Sequence, residues 1–411
     1  MRATLAFLLA ALLAAFASIG PAGAQSDVDV RESSARSDFP NGIVFTLEAA
    51  SSAGFDDVRL VYEIAPDGVR ATATADCTGG TLVSCTYDLG RSQRNLLIPG
   101  AEVTYFWRIT TAGETQATEP QLIVYEDDRF EWRTVSDGNL TLWWYSGSQD
   151  AAERVLAAGR ETLDGIGALL QTDVSFPVKI FYYASASDMA AAIIPSSVEG
   201  IVTAGVVSFS DTAMVSGSVP DEIARHEIAH IVIREAVRGP LGGVPDWLNE
   251  GTSVFAQNQP LSGQSRALEA AIQSGDVFSV RSLSSSSSGA RPENVSLFYG
   301  QSYSLVAFLV ERYGPEQFAE LFQTFKAGAT TAGALEQVYG FDQDGLENAW
   351  RDSVGLGPRQ APTLEPDRTD PAPGSGDDSA STTVIIAVVA LAALFAVVLL
   401  GAGAIVLRRG R

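Results

Sequence analysis

The chain has 411 residues, enough for two or three domains, and its 46% hydrophobic and 18% charged content excludes disorder throughout. A formal charge of −22 excludes a general nucleic-acid-binding surface. Two cysteines and two histidines exclude a disulfide-framework fold and any cysteine-rich metal module.

Residues 1–24 read as a secretory signal. Arg2 supplies the positive start, Leu5–Ala17 the apolar stretch, and Ala22-Gly23-Ala24 the small-residue cleavage site before Gln25. Gln25–Pro40 has no apolar periodicity and is expected to be disordered. Residues 41–126 read as all-β. Strand-like runs fall at Ile43–Ala49, Val58–Ile64, Val69–Asp76, Thr81–Asp88, Val103–Thr110 and Thr115–Val124, with turn residues between them. Short strands at this spacing predict a sandwich of immunoglobulin or fibronectin type III kind. In an oxidising compartment, Cys77 and Cys85 are expected to pair across the turn at Gly79-Gly80.

A second domain is expected over residues 127–355, and from about Leu140 the periodicity changes. Leu140, Leu142 and Trp144 alternate as a strand, and Ala151–Leu170 follows as a helix. Val178–Tyr183 and Gly205–Phe209 read as strands, and helices dominate from there to about residue 353. Strands first and helices after is an α+β order. Ser284–Ser288 reads as a loop. Residues 356–382, rich in Pro, Gly and Asp, form a linker. Residues 383–407 are uncharged and apolar, about 37 Å long as a helix, which is enough to span a bilayer. Arg408, Arg409 and Arg411 in the tail 408–411 are expected to stay cytoplasmic. The expected topology is a single-pass type I protein of the cell membrane, its ectodomain outside and its membrane contact made by the C-terminal helix.

Both histidines lie in His226-Glu227-Ile228-Ala229-His230, an H-E-x-x-H pattern. Pro220, Asp221 and Glu222 suit a helix start, and Gly239-Pro240 a stop. On that helix the i, i+4 spacing puts both imidazoles on one face, within reach of one Zn²⁺. Glu227 sits beside them without being a ligand, where it can take a proton from water. A catalytic zinc needs a third protein ligand and an open fourth position. No third histidine exists, so the third ligand is expected to be a carboxylate, or else a weaker donor. Glu250, in Trp247-Leu248-Asn249-Glu250-Gly251, and Asp246, in Gly243-Val244-Pro245-Asp246, are the two candidates.

H-E-x-x-H followed by W-L-N-E-G resembles the gluzincin metallopeptidases, the group of peptidase MA-like domains that includes the aminopeptidase N and thermolysin types. The resemblance is most specific over residues 220–257. It implies an α+β peptidase domain, one zinc ion, and a peptide or protein substrate. It also implies Glu250 as the third zinc ligand, leaving Asp246 as a helix-capping residue. Tyr299-Gly300-Gln301-Ser302 resembles the Y-x-K-G helix of aminopeptidase N, which implies Tyr299 as the oxyanion donor; Tyr303, one turn on, is the alternative. Two features of the family are missing. The amine-gripping G-x-M-E-N motif is absent, which favours cleavage of internal bonds. No acid follows Glu250 at positions 251–254 to orient a histidine.

The reading is therefore a membrane-anchored extracytoplasmic zinc metallopeptidase with an N-terminal β-sandwich. The alternative is a cell-surface binding module, in which the sandwich recognises a surface partner and the zinc domain is structural or inactive. The intact Glu227 speaks against it, since a structural site needs no general base.

Overall fold

The computed structural model describes residues 28–66, 69–90, 97–193, 205–207, 211–240, 242–285 and 293–359. The expected signal, membrane span, basic tail and nearly all of the linker lie outside the described residues. Among the described residues no helix is long and apolar enough to cross a membrane.

Two-residue periodicity builds the first domain. Ile43, Phe45, Leu47 and Ala49 of β2 (Gly42–Ser51) are buried, and so are Val103, Tyr105, Trp107 and Ile109 of β7 (Glu102–Thr111). One antiparallel sheet runs in the order β1 (Val28–Asp38), β2, β6 (Leu82–Gly90), β5 (Asp76–Gly79). The other runs β4 (Val69–Thr74), β3 (Asp57–Ile64), β7. Its far edge is shared by β8 (Glu114–Ala117) and β9 (Gln121–Val124), which pair with opposite ends of β7. The inner faces meet around Phe45, Leu47, Leu60, Tyr105 and Trp107. This is the A-B-E-D over C-F-G order of immunoglobulin domains, with β4 added beside the C strand.

Three expectations need correction here. Residues 28–38 are not disordered: β1 pairs with β2 from Val28↔Ser51 to Asp38↔Gly42. Main-chain bonds hold this edge strand, and Val28 and Ala35 alone pack on the core, so the sequence carries no apolar stripe. Gly42 closes the hairpin at φ +144°, where any Cβ would run into the Leu89 carbonyl. The run Val69–Asp76 is two strands, because the chain leaves β3 and joins β6 at Ala75. The run Thr115–Val124 is also two strands, separated by Thr118–Pro120. Cys77 and Cys85 stand directly opposite each other on β5 and β6 and form a disulfide, with 4.0 Å between Cα atoms.

The second domain is built on a mixed sheet in the order β10 (Arg133–Asp137), β11 (Leu140–Trp144), β12 (Val178–Tyr182), β14 (Thr212–Val215), β13 (Gly205–Val207). The three central strands are parallel and the two outer ones antiparallel. α1 (Gln149–Leu170) joins β11 to β12; Ser148 caps it by accepting from the Ala151 amide. α2 (Ala186–Ile193) follows β12. Leu140, Leu142, Val178 and Ile180 form the sheet face under α1 and α3 (Pro220–Ala236). Beyond α3 come α4 (Asp246–Ala256), α5 (Ser262–Ser274), α6 (Val280–Leu283), α7 (Val295–Tyr313), α8 (Pro315–Lys326), α9 (Thr331–Tyr339) and α10 (Gln343–Ser353).

The opposite sheet face carries Trp143, Phe181 and Tyr183 toward the sandwich, where they pack with Phe39, Ile98 and Phe130. Lys179, on this face, is buried at the junction. Its ammonium donates to the Gly100 carbonyl (2.8 Å) and pairs with Glu102 of the sandwich (2.9 Å) and with Asp211 (3.0 Å). Removing the lysine strands a nearly buried aspartate, which typically costs 3–5 kcal/mol. Lys179→Met is therefore expected to lower the free energy of urea unfolding by about 3 kcal/mol. The exposed Lys326→Met should stay within about 0.5 kcal/mol of the parent.

Candidate metal centre

α3 starts at Pro220, whose missing N–H costs nothing in a first turn, with Asp221 and Glu222 at the positive helix end. Most of its residues are buried, polar ones among them. Ile223, Ala224, Ile228, Ala229, Ile231 and Val232 are buried, because α1 and the sheet cover one side and α4 the other. His226 and Glu227 are buried with them, at 5% and 7% exposure. The imidazoles of His226 and His230 lie 4.8 Å apart, nearly perpendicular.

α4 brings the third group. Glu250 Oε2 is 3.2 Å from His226 Nε2 and 3.6 Å from His230 Nε2. These three atoms all lie within 4.8 Å of one another. A tetrahedral zinc with bonds of ~2.1 Å needs ligand atoms about 3.4 Å apart, so the donor set fits that ion in chemistry and in spacing. Burial works to raise the Glu250 carboxyl pKa. The facing imidazoles of His230 and His226, with the Tyr299 hydroxyl, more than offset this and hold it below the ordinary value.

The far nitrogen of His230 is also held. Its Nδ1 is 3.0 Å from Asn249 Oδ1 and 3.1 Å from Ser253 Oγ. An amide oxygen only accepts, so Nδ1 donates to Asn249, and Nε2 is the nitrogen turned to the Glu250 side. Sequence reasoning missed these two residues because it looked for an acid after the ligand. The usable signal was Asn249 itself, beside Glu250 and one helical turn before Ser253.

Asp246 is not in the cluster. It occupies the first turn of α4, where Pro245 is the cap and no side-chain cap bond forms. As the alternative ligand, Asp246 is set apart from the three donor atoms by a full helical turn from Glu250, and its charge acts on Tyr299. Tyr299 of α7 is buried, its ring 5.9 Å from that of His226 and its hydroxyl bonded to the Glu250 carboxylate. Burial, then the charges of Glu250, Glu227 and Asp246, push its phenol pKa well above the ordinary value, so it stays a proton donor. Tyr303, one turn on, packs toward Phe255 instead, and burial and Glu311 raise its pKa. Gln301, which stands at the lysine of the Y-x-K-G pattern, is buried and clamps the Phe278 backbone through both its amide atoms (2.8 and 2.9 Å).

Gly251 explains why this arrangement is tight. A Cβ there would overlap the Ser302 carbonyl of α7 and reach 2.8 Å from Val306 Cγ2. α4 and α7 therefore meet backbone to backbone, which sets Glu250 and Tyr299 against each other.

A buried H-E-x-x-H helix, completed by a glutamate from the following helix, defines a gluzincin-type metallopeptidase domain. Residues 161–355 match the family model of the Peptidase MA superfamily. The match starts inside α1, so β10 and β11 precede it although they complete the same sheet. No curated protein matches the chain. Among solved structures, yeast LTA4 hydrolase is similar at 12% identity and TM-score 0.35, over 79% of this chain and 66% of that enzyme. An aminopeptidase N family protein from Idiomarina loihiensis is similar at 8% identity and TM-score 0.32, over 74% and 73%. A structure described as BhCBM56 covers 25% of this chain and 96% of its own, at 14% identity and TM-score 0.18.

Two substitutions test the supports of the cluster. Asn249→Ala should weaken Zn²⁺ binding about 10–100-fold in competition with a chromophoric chelator, because His230 loses its orientation. Gly251→Ala should weaken it too, and should also destabilise the fold by about 1–3 kcal/mol in urea, because α4 is driven off α7.

Proposed function

We propose that the protein is a membrane-anchored, extracytoplasmic zinc-dependent metallopeptidase that cleaves internal peptide bonds. The observation that carries this reading is the convergence of His226 Nε2, His230 Nε2 and Glu250 Oε2 beside the buried, non-ligating Glu227. His226, His230 and Glu250 would hold a Zn²⁺, which would supply a Lewis acid toward water and the scissile carbonyl. Glu227 takes the proton of the attacking water on its carboxylate and hands it to the departing amine nitrogen. Tyr299, kept protonated by burial and its acidic surroundings, donates to the carbonyl oxygen as that oxygen gains charge. β13 pairs with β14 and, among the described residues, is the edge strand of the sheet beside α3, a position that suits an extended peptide added as a further strand. Single-pass anchoring rests on the apolar run 383–407 and the arginines after it.

Glu227→Gln should retain one Zn²⁺ and lose at least about a hundredfold in cleavage of a peptide library. Glu250→Ala should lose the metal, whereas Asp246→Ala should keep it. Tyr299→Phe should lose about tenfold to a hundredfold in rate with zinc retained. Zinc-loaded wild type that cleaves nothing in a broad library would replace this reading by the surface binding module.

For topology, protease added to intact cells, or to spheroplasts where an outer membrane is present, should release the ectodomain by cutting within residues 356–382. Protection that ends only on lysis would contradict an extracytoplasmic ectodomain.

A further inference from the structure

A cavity of about 560 Å³ that the metal centre does not use lies at the junction of the two domains, a size typical of small-ligand sites. Strand alternation places it on the other face of the sheet from α3. Trp143 and Phe181 are register partners on β11 and β12, and Thr141 and Lys179 are the next pair on the same side. All four line the cavity, while Leu142 and Ile180 between them point into the helical core.

The walls are aromatic. Trp143 and Phe181 stack at 5.1 Å with 11° between planes, and Trp132 meets Phe181 edge-on at 5.4 Å. The remaining lining is acidic, with Glu102, Glu126, Asp127 and Asp128 against the one cation, Lys179. Lys179 has no charge to spare, since its three donors go to Glu102, Asp211 and the Gly100 carbonyl. Asp127 is likewise engaged, by Arg129 at 2.6 Å and by the Tyr183 hydroxyl at 3.0 Å. That leaves the exposed carboxylates of Glu126 and Asp128, with which no cation pairs among the described residues.

The same cluster already accepts a guanidinium. Arg129 Cζ lies 4.9 Å from the ring centroids of both Phe39 and Phe130, and Phe130 is itself part of the cavity wall. Aromatic faces beside unneutralised carboxylates attract a cation through the ring quadrupole and through charge together.

We propose that this junction cavity binds an organic cation, a guanidinium or ammonium head on an apolar stem. The head lies between Glu126 and Asp128, and the stem lies along Trp143 and Phe181. The site is independent of the metal centre and of peptidase activity.

The test is calorimetric titration of the full-length chain in a non-ionic detergent, at low salt. The probes are 1-butylguanidinium and its neutral isostere 1-butylurea, and N-acetyl-arginine methylamide and its neutral counterpart N-acetyl-citrulline methylamide. Each cation should bind at least about tenfold tighter than its neutral partner, and the gap should shrink as NaCl is raised. The peptide-like pair separates the two sources of the cation: binding of butylguanidinium alone assigns a free small molecule, and binding of both admits an arginine side chain. Glu126→Gln with Asp128→Asn, both on the surface, should cost about tenfold or more for the cations and nothing for the isosteres. Trp143→Leu should weaken the cations about 2–30-fold. Equal affinity for cation and isostere, an unchanged affinity in the Glu126/Asp128 double variant while its thermal unfolding matches wild type, or no binding at millimolar probe would overturn the proposal.

Discussion

Three atoms from two helices have to meet within about one tetrahedral edge of each other, and the helical domain is arranged around that requirement. His226 and His230 come as a unit, because one turn of α3 separates them. Glu250 comes from α4, whose position is set from behind, where Gly251 lets it touch α7 at Ser302 and where Trp247 and Leu248 are fully buried. α7 in turn carries Tyr299 to the Glu250 carboxylate. The glycine of N-E-G thus works through packing, and the asparagine works through the imidazole it orients.

The electrostatics follow from the burial. Two imidazoles, two carboxylates and a phenol share a largely buried region, and an uncompensated carboxylate there is costly. Glu250 stays ionised because imidazoles face it. Tyr299 stays protonated because it is buried and three acids surround it. A divalent cation at the three ligand atoms offsets the remaining negative charge, which is the sense in which the residues suit a metal.

The central sheet serves two purposes through its two faces. One face seats α1 and α3 and so fixes the height of the metal helix. The other joins the sandwich through an aromatic cluster and through Lys179, whose partners come from both domains. Such a buried, multiply paired cation ties the sandwich to the strands that lie beneath the metal centre, so the first domain is structurally continuous with the second.

From the sequence alone, alternation located the inner strands of the sandwich, and helical spacing placed His226 and His230 on one face with Glu227 beside them. Residues 1–24 and 383–407 are legible only in sequence, as apolar lengths with charged or small-residue flanks. Tertiary structure decided the rest, and in each case the reason is a partner that local pattern cannot name. β1 exists because β2 offers it a ladder of main-chain bonds. The run Val69–Asp76 divides because its two halves bond to different sheets. Asp246 and Glu250 lie one turn apart on the same face of α4, as Tyr299 and Tyr303 do on α7. Periodicity therefore ranks the members of each pair equally, and only the axial position of the helix, set by its contacts, brings one of them to the imidazoles and leaves the other about 6 Å away.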